Sequence, residues 1–496
     1  MRNQAILLLF LILPFYANSR SITIGQKGDF YRLEEVNNLV SPGDTLLLLD
    51  EVYQDGTQFL ENWHGSAEDP IVIKPASGTS VIFRGGTEAL HLVSCSYLTL
   101  ENLIVEQQTG NGINIDDGGN YDASTHHITV RNCVFRDMAA DGNNDLLKLS
   151  GLENFLVENC SFTDGGEGGS GIDMVGCHQG VIQDNYFDRA GVTGIQAKGG
   201  TQSIRIQRNI LKDLGQRAVN LGGSTGLEYF RPPLANPIQD AFEAADLDVF
   251  SNLFIGSWSP VAYVGSIRVK VINNTIYHPA NWVFRILQET TESGFLACSD
   301  NVFQNNLIIL EHDLTEVNVG PDTDPQSFII QNNFWYNESS ANWSPILPVN
   351  DPGQLTGDPL LSDPENGNFQ PALNSPVIGQ GIGQDGPVTD FFGNAFLDPP
   401  SIGAIEGRDA TTGREPSQDQ AALRISPSIG QDYVQILLPL PQGTLQVVTI
   451  NGQIIETRTV HSKDIRLDIS SYPGGIYFVH WIAPHQSPST VKFIKM

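Results

Sequence analysis

The chain has 496 residues, enough for two or three domains or one long repetitive domain with an appendage. Its 56 acidic side chains against 27 basic ones leave a formal charge of −29, which excludes a general nucleic-acid coat, since that needs a broad basic surface. Only 17% of residues are charged, 40% are hydrophobic and 49 are glycine, a balance that argues against disorder and suits extended β architecture with short turns. Five cysteines are too few to scaffold so long a chain through disulfides.

At the N-terminus, Arg2 supplies a positive charge and residues 5–16 form an apolar run. Ala17-Asn18-Ser19 follows as a small-x-small cleavage pattern. The run is shorter than the roughly 20 residues that span a bilayer, so residues 1–19 are expected to be a signal peptide rather than an anchor. No later segment is long and apolar enough for a membrane span.

A repeat follows. Val130-Arg131-Asn132-Cys133-Val134-Phe135 recurs as Val157-Glu158-Asn159-Cys160-Ser161-Phe162, then as Ile182-Gln183-Asp184-Asn185-Tyr186-Phe187 and Ile206-Gln207-Arg208-Asn209-Ile210-Leu211. Four further copies carry Asn252, Asn274, Asn306 and Asn333 at the fourth position. The spacing runs from 22 to 32 residues, apart from one excursion of 43. Such a period, with alternating apolar residues and Asn at one fixed corner, describes a coil that buries its apolar face only by stacking on its neighbours. The Asn amides are expected to bond from coil to coil, about 4.8 Å apart. Cys133 and Cys160 share that rung and read as buried small hydrophobes, with a disulfide as the lesser alternative. A propeller would need a period of about 40 to 50 residues, and Leu ladders are absent.

These repeats resemble the pectin-lyase-like right-handed parallel β-helix superfamily. Gly43-Asp44-Thr45 and residues 71–75 match its entry coils, while Asp358-Pro359-Leu360, residues 374–378 and residues 402–406 match its closing coils. The resemblance implies an all-β solenoid over 20–407. Residues 408–420 read as a polar linker. Over 421–496, short strands surround an Asn451-Gly452 hairpin signal, the run Gly474-Gly475-Ile476-Tyr477 and a basic Lys492-Phe493-Ile494-Lys495 end. This part resembles the C-terminal sorting domain of the type IX secretion system of Bacteroidota, a small β-sandwich. That implies export through the outer membrane to a secreted or surface-attached state, with the secretion machinery as a partner. An adhesion or carbohydrate-binding sandwich is the alternative.

Function must be sought on the outward face. Aligning coils puts Leu147, Ile172, Ile195 and Val219 inward, so Lys148, Asp173, Gln196 and Asn220 form one outward column. Ser150, Val175, Lys198 and Gly222 form the next, with Asn114 and Asp116 one coil back. The window from Ile195 to Arg231 has six basic residues against Asp213 and Glu228. A local cationic cleft on so acidic a chain fits an anionic sugar chain as substrate. Arg205, Arg208 and Lys212 are expected on another face. A lysine near other cations is suited to removing the C5 proton of a uronate, and an arginine to stabilising the resulting anion. The pair Lys198 and Arg217 is similar to the Lys-plus-Arg arrangement of polysaccharide lyase family six, which implies Lys198 as base and Arg217 as acid. The Asn-Gly-Glu-type calcium motif of that family is not evident here.

Tyr229, Phe230 and Arg231, in the 43-residue excursion, are expected to form a sugar platform or a packed loop cluster, and Arg285 beside Trp282 to extend the groove. Asp116, Asp141, Asn143 and Asp145 offer clustered oxygens for calcium, although such runs are also ordinary turn chemistry. No organic cofactor is expected. His91 and His178 are placed in turns and no zinc spacing occurs. A uronate lyase is therefore the leading expectation, acting as a monomer. A hydrolase pairing Asp173 with Asp145 or Asp116 is the second, and a non-catalytic adhesive β-helix the third.

Overall fold

The computed structural model describes residues 19–407 and 423–496, apart from positions 55, 341, 384–385, 427 and 484–487. The expected signal peptide falls outside the described residues except for Ser19, and the expected linker falls wholly outside them.

Each coil lays down three parallel strands. One coil runs through Thr125–Arg131, Val134–Arg136 and Leu147–Ser150, and each strand pairs in register with its counterpart one coil on. The result is three long parallel sheets, called here first, second and third in coil order. Alternation sends Leu147, Ile172, Ile195 and Val219 into one continuous core. Inside it Phe135, Phe162 and Phe187 stack with ring centroids 4.8 and 4.7 Å apart.

The corner between the first and second strands explains the repeat. Asn132, Asn159, Asp184, Asn273, Asn305 and Asn332 all take positive φ, between 50° and 59°, a conformation Asn and Asp tolerate best. The next residue then turns inward to form the ladder. Asn185 donates its amide nitrogen to Asn209 Oδ1 at 3.0 Å and to the Val157 carbonyl at 3.0 Å. The pattern repeats through Asn252, Asn274, Asn306 and Asn333. Asp351 closes the series by accepting from Asn333 Nδ2 at 3.0 Å. Cys133 and Cys160 occupy the same ladder as free, buried thiols, and no disulfide joins them. Burial pushes the Cys160 thiol well up.

The segment expected to add closing coils behaves differently. Leu361–Asp363 pairs antiparallel with Asn368–Pro371, and the chain then doubles back along the outer face of the second sheet. Asn332, Asn305, Asn273 and Ser251 bond in turn to Gln380, Ile382, Ser401 and Thr389 of this segment. The reason is apolar cover. Ile210, Leu253, Tyr277, Leu307, Ile309 and Phe334 point outward from the second sheet and bury against Phe369, Val377, Phe391 and Ile402.

Beyond residue 423, Gly443–Thr449, Ile454–Val460, Gly475–Ile482 and Ser489–Lys495 form one antiparallel sheet. It packs on Arg424–Ser426, Tyr433–Leu437 and Asp464–Asp468 around Val434, Leu445, Val479 and Trp481. Gly452 supplies the positive φ, 87°, of the hairpin expected at Asn451-Gly452. This sandwich rests on the second sheet through Ile450, Ile476 and Ile494, leaving the third sheet open. No helix among the described residues is long and apolar enough to cross a membrane.

Candidate active site

The third sheet carries the polar stripe in the register expected from alternation. Asn114, Lys148, Asp173, Gln196 and Asn220 are successive partners in one outward column. Phe59 and His91 extend it one way, and Ala262, Arg285 and Asn318 the other. Asp116, Ser150, Val175 and Lys198 form the neighbouring column.

A charged quartet lies at the centre. Lys148 Nζ pairs with Asp173 Oδ2 and, at 3.5 Å, with Asp145 Oδ2. Lys198 Nζ reaches the same Asp173 oxygen at 3.3 Å. Asp173 is 0% exposed, while the Lys198 side chain keeps 12%. The carboxylates therefore lie beneath the ammonium groups, which face the cleft. Burial, and then the facing Asp173 charge, push the Asp145 carboxyl up to about 6. Burial also pulls the Lys148 ammonium down, but Asp173 and Asp145 together outweigh that and hold it above the usual lysine value.

The turn after Lys198 is fastened by Glu243, a fully buried residue. It accepts from the Gly199 and Thr225 backbone amides at 2.9 Å each, and from the Thr225 and Thr290 hydroxyls at 2.7 and 2.5 Å. Sequence reasoning missed Glu243, because it sits in the long excursion where no repeat assigns it a face. Its one signal is a lone acid within Ala241-Phe242-Glu243-Ala244-Ala245.

The same excursion roofs the cleft. Arg231 grips Asp117 through two bonds, Nε to Oδ2 at 2.5 Å and Nη2 to Oδ1 at 2.9 Å. It also lies over the Tyr121 ring, 4.5 Å from its centroid. Its side chain runs in a trough made by Gly151 and Gly176, both at positive φ, where any Cβ would overlap Asp117 or Arg231. Arg231, expected to bind substrate, lines the cleft, and its Nε, Nη1 and Nη2 each already donate one bond, to Asp117 or the Tyr229 carbonyl. Phe230 is buried against Phe295, whereas Tyr229 stands 54% exposed at the rim. The resulting cleft holds about 600 Å³, and its lining includes Asn114, Asp116, Lys148, Lys198 and Tyr229.

Arg217 is not brought to Lys198. It pairs with Thr193, at the far end of the strand that ends at Lys198. Its guanidinium bonds Asn220 Oδ1 at 2.9 Å and Glu289 Oε1 at 2.8 Å. Gln196 and Asn220 hold their expected column, but Asn220 is buried. Arg285 lies two coils past Asn220, over the Trp282 ring at 4.4 Å.

The oxygens expected to hold calcium do not converge. Asp116 bonds His91 Nε2 at 2.7 Å, Asp145 is taken by Lys148 and Ser170, and Asp141 and Asn143 are exposed. Among the described residues no group of three or more His, Cys, Asp or Glu side chains is placed to hold a metal ion. With ammonium groups already between the carboxylates, the donor set does not fit calcium. His91, expected in a turn, belongs to the strand Leu90–Val93. Its bonds to Asp116 and Glu88 push it up to about 9.

Two family models agree with this architecture. Residues 71–230 match the family model described as a right handed beta helix region, and residues 424–496 match the secretion system C-terminal sorting domain. No curated protein matches the chain by sequence. Among solved structures the chain is similar to pectate lyase Pel9A, at 13% identity over 79% of this chain and 97% of that one, TM-score 0.49. It is also similar to an alginate lyase from Paenibacillus sp. strain FPU-7, at 13% identity over 68% and 98% of the two chains, TM-score 0.40. A third is the GH136 lacto-N-biosidase from Eubacterium ramulus, at 16% identity over 68% and 67%, TM-score 0.40. The chain thus joins a right-handed parallel β-helix to a type IX sorting domain, and the protein is exported to a secreted or cell-surface location.

Proposed function

We propose that the protein is a lyase that cleaves a uronate-containing polysaccharide by β-elimination at the Lys148–Lys198 cleft. The observation that carries this reading is the pair of lysine ammonium groups set over one buried carboxylate, facing an open cleft on a protein of net charge −29. Lys148, held charged by Asp173 and Asp145, neutralises the uronate carboxylate and so acidifies the adjacent C5–H. Lys198 shares its counter-ion with a closer lysine and is assigned as the base, reacting in its amine form. It takes the C5 proton, the C–H electron pair forms the C4=C5 double bond, and the C4–O pair leaves with the glycosidic oxygen. That oxygen takes its proton from solvent at the rim, since Arg217 stands outside the cleft lining. Export would proceed after removal of residues 1–19.

A paired-carboxylate hydrolase is the second reading, favoured by the Asp145 carboxyl near 6 and its neighbour Asp173. Incubation with pectate, alginate and glycosaminoglycans, followed by mass spectrometry of the products, separates the readings. Unsaturated uronate ends support elimination, saturated reducing ends support hydrolysis, and binding without cleavage supports an adhesive protein.

A further inference from the structure

A second cationic site stands apart from the cleft. Three strands beyond Thr193–Lys198, roughly 14 Å along the stack, Arg285 projects from Phe284–Leu287. Its guanidinium lies over Trp282, and Trp282 meets Trp258 edge-on with centroids 6.1 Å apart. Trp258 is 47% exposed, unusual for so large an apolar ring on an otherwise polar face. Arg217 approaches from the other side. The strand between the two arginines sets the small residues Ser259 beside Arg217 and Ala262 beside Arg285. Burial, and then the Arg217 charge, lower Arg285 from its usual value, so the two guanidinium groups feel each other. Glu289 is the carboxylate that pairs with Arg217, and Asn318, a neutral amide, bonds Arg285 Nε at 3.0 Å. Arg217 Nε is buried and has no acceptor.

Two arginines, an orphan donor and an exposed indole ask for a flat anionic ligand. A carboxylate satisfies the guanidinium donors, and a pyranose face stacks on Trp258. We infer that Arg217, Arg285, Trp258 and Trp282 form a distal subsite for a second acidic sugar of the same chain. The surface then grips an acidic polysaccharide at two points and favours long chains over single units. This rests on the uronate reading for the identity of the ligand, not for the existence of the site. It gives Arg217 a binding role in place of the acid role expected from sequence.

The test measures binding of alginate and polygalacturonate, each as disaccharide and as long chain, with neutral dextran as control. It compares Lys198→Ala, used to prevent turnover, with Lys198→Ala carrying Trp258→Ala or Arg285→Gln. Thermal melts confirm folding, and Trp258→Ala changes a half-exposed residue. The expected result is about a tenfold rise in Kd for the long chain in either double variant, with disaccharide affinity unchanged. Unchanged long-chain affinity, or equal binding of dextran, would overturn the subsite. Wild type, which keeps Lys198, is assayed in parallel for unsaturated ends. Loss of long-chain affinity in the double variants while wild type yields no unsaturated ends would sink the lyase reading and leave the subsite standing. Normal elimination by wild type, with affinity unmoved by both substitutions, would do the reverse.

Discussion

Arg231→Met tests whether the roof of the cleft depends on a single buried tie. Methionine fills the glycine trough but removes both bonds to Asp117, a carboxylate only 2% exposed. Stranding such a charge costs about 3 to 5 kcal/mol. The cost falls on the two ends of the tie rather than on the whole solenoid, since each coil contacts only its neighbours. Local opening of residues 223–231 therefore becomes at least roughly a hundredfold more frequent, at 1.4 kcal/mol per factor of ten. Hydrogen-exchange mass spectrometry reads this directly, with the amides of Tyr229 and Arg231 as reporters because they bond the Gly226 and Gly199 carbonyls. Adding Asp117→Leu removes the stranded charge and should restore much of the protection. Exchange in 223–231 indistinguishable from wild type would show that the roof does not depend on this tie, as would a double variant worse than the sum of its parts.

Three further outcomes are expected. Asn252→Ala breaks the ladder at a fully buried rung, orphaning the Asn209 amide and the Ile206 carbonyl. It should lower stability by roughly 3 kcal/mol in denaturant titration. His91, pushed up to about 9 by Asp116 and Glu88, adds stability that is fully present below about pH 6.5 and is lost as pH rises through 9. An imidazole NMR titration with a midpoint near 6.5 would contradict this. The five buried thiols should resist a thiol reagent in the native protein and all react once it is unfolded, as counted by intact mass.

Much of the fold was legible because a parallel stack keeps constant register. Once the Asn rung was aligned, alternation alone sent Lys148, Asp173, Gln196 and Lys198 outward, and the structure places them there. What escaped lies where the period breaks. Glu243 and the Arg231 tie belong to the 43-residue excursion, and Asp117, the partner of Arg231, is 114 residues earlier in the chain. The doubling back over residues 375–383 and 386–406 answers to outward apolar residues of the second sheet, which a repeat-based reading assigns only to strands. The Lys198–Arg217 pairing failed by arithmetic. A coil here takes 24 residues, the step from Ile195 to Val219, so a spacing of 19 leaves Arg217 short by five residues, about 16 Å along the strand.

Everything proposed for the cleft turns on Lys198 acting as the base of an elimination. Ultraviolet absorbance of unsaturated uronate ends measures it, with wild type, Lys198→Ala, Lys198→Arg and Asp173→Asn run side by side on the uronate panel. Elimination through Lys198 gives a steady rise for wild type and none for Lys198→Ala or Lys198→Arg, because arginine stays protonated and cannot accept the C5 proton. Asp173→Asn, which unsettles both lysines, should be slowed by at least about tenfold. A rise that persists in Lys198→Ala would contradict the claim, and so would reducing ends that appear without absorbance.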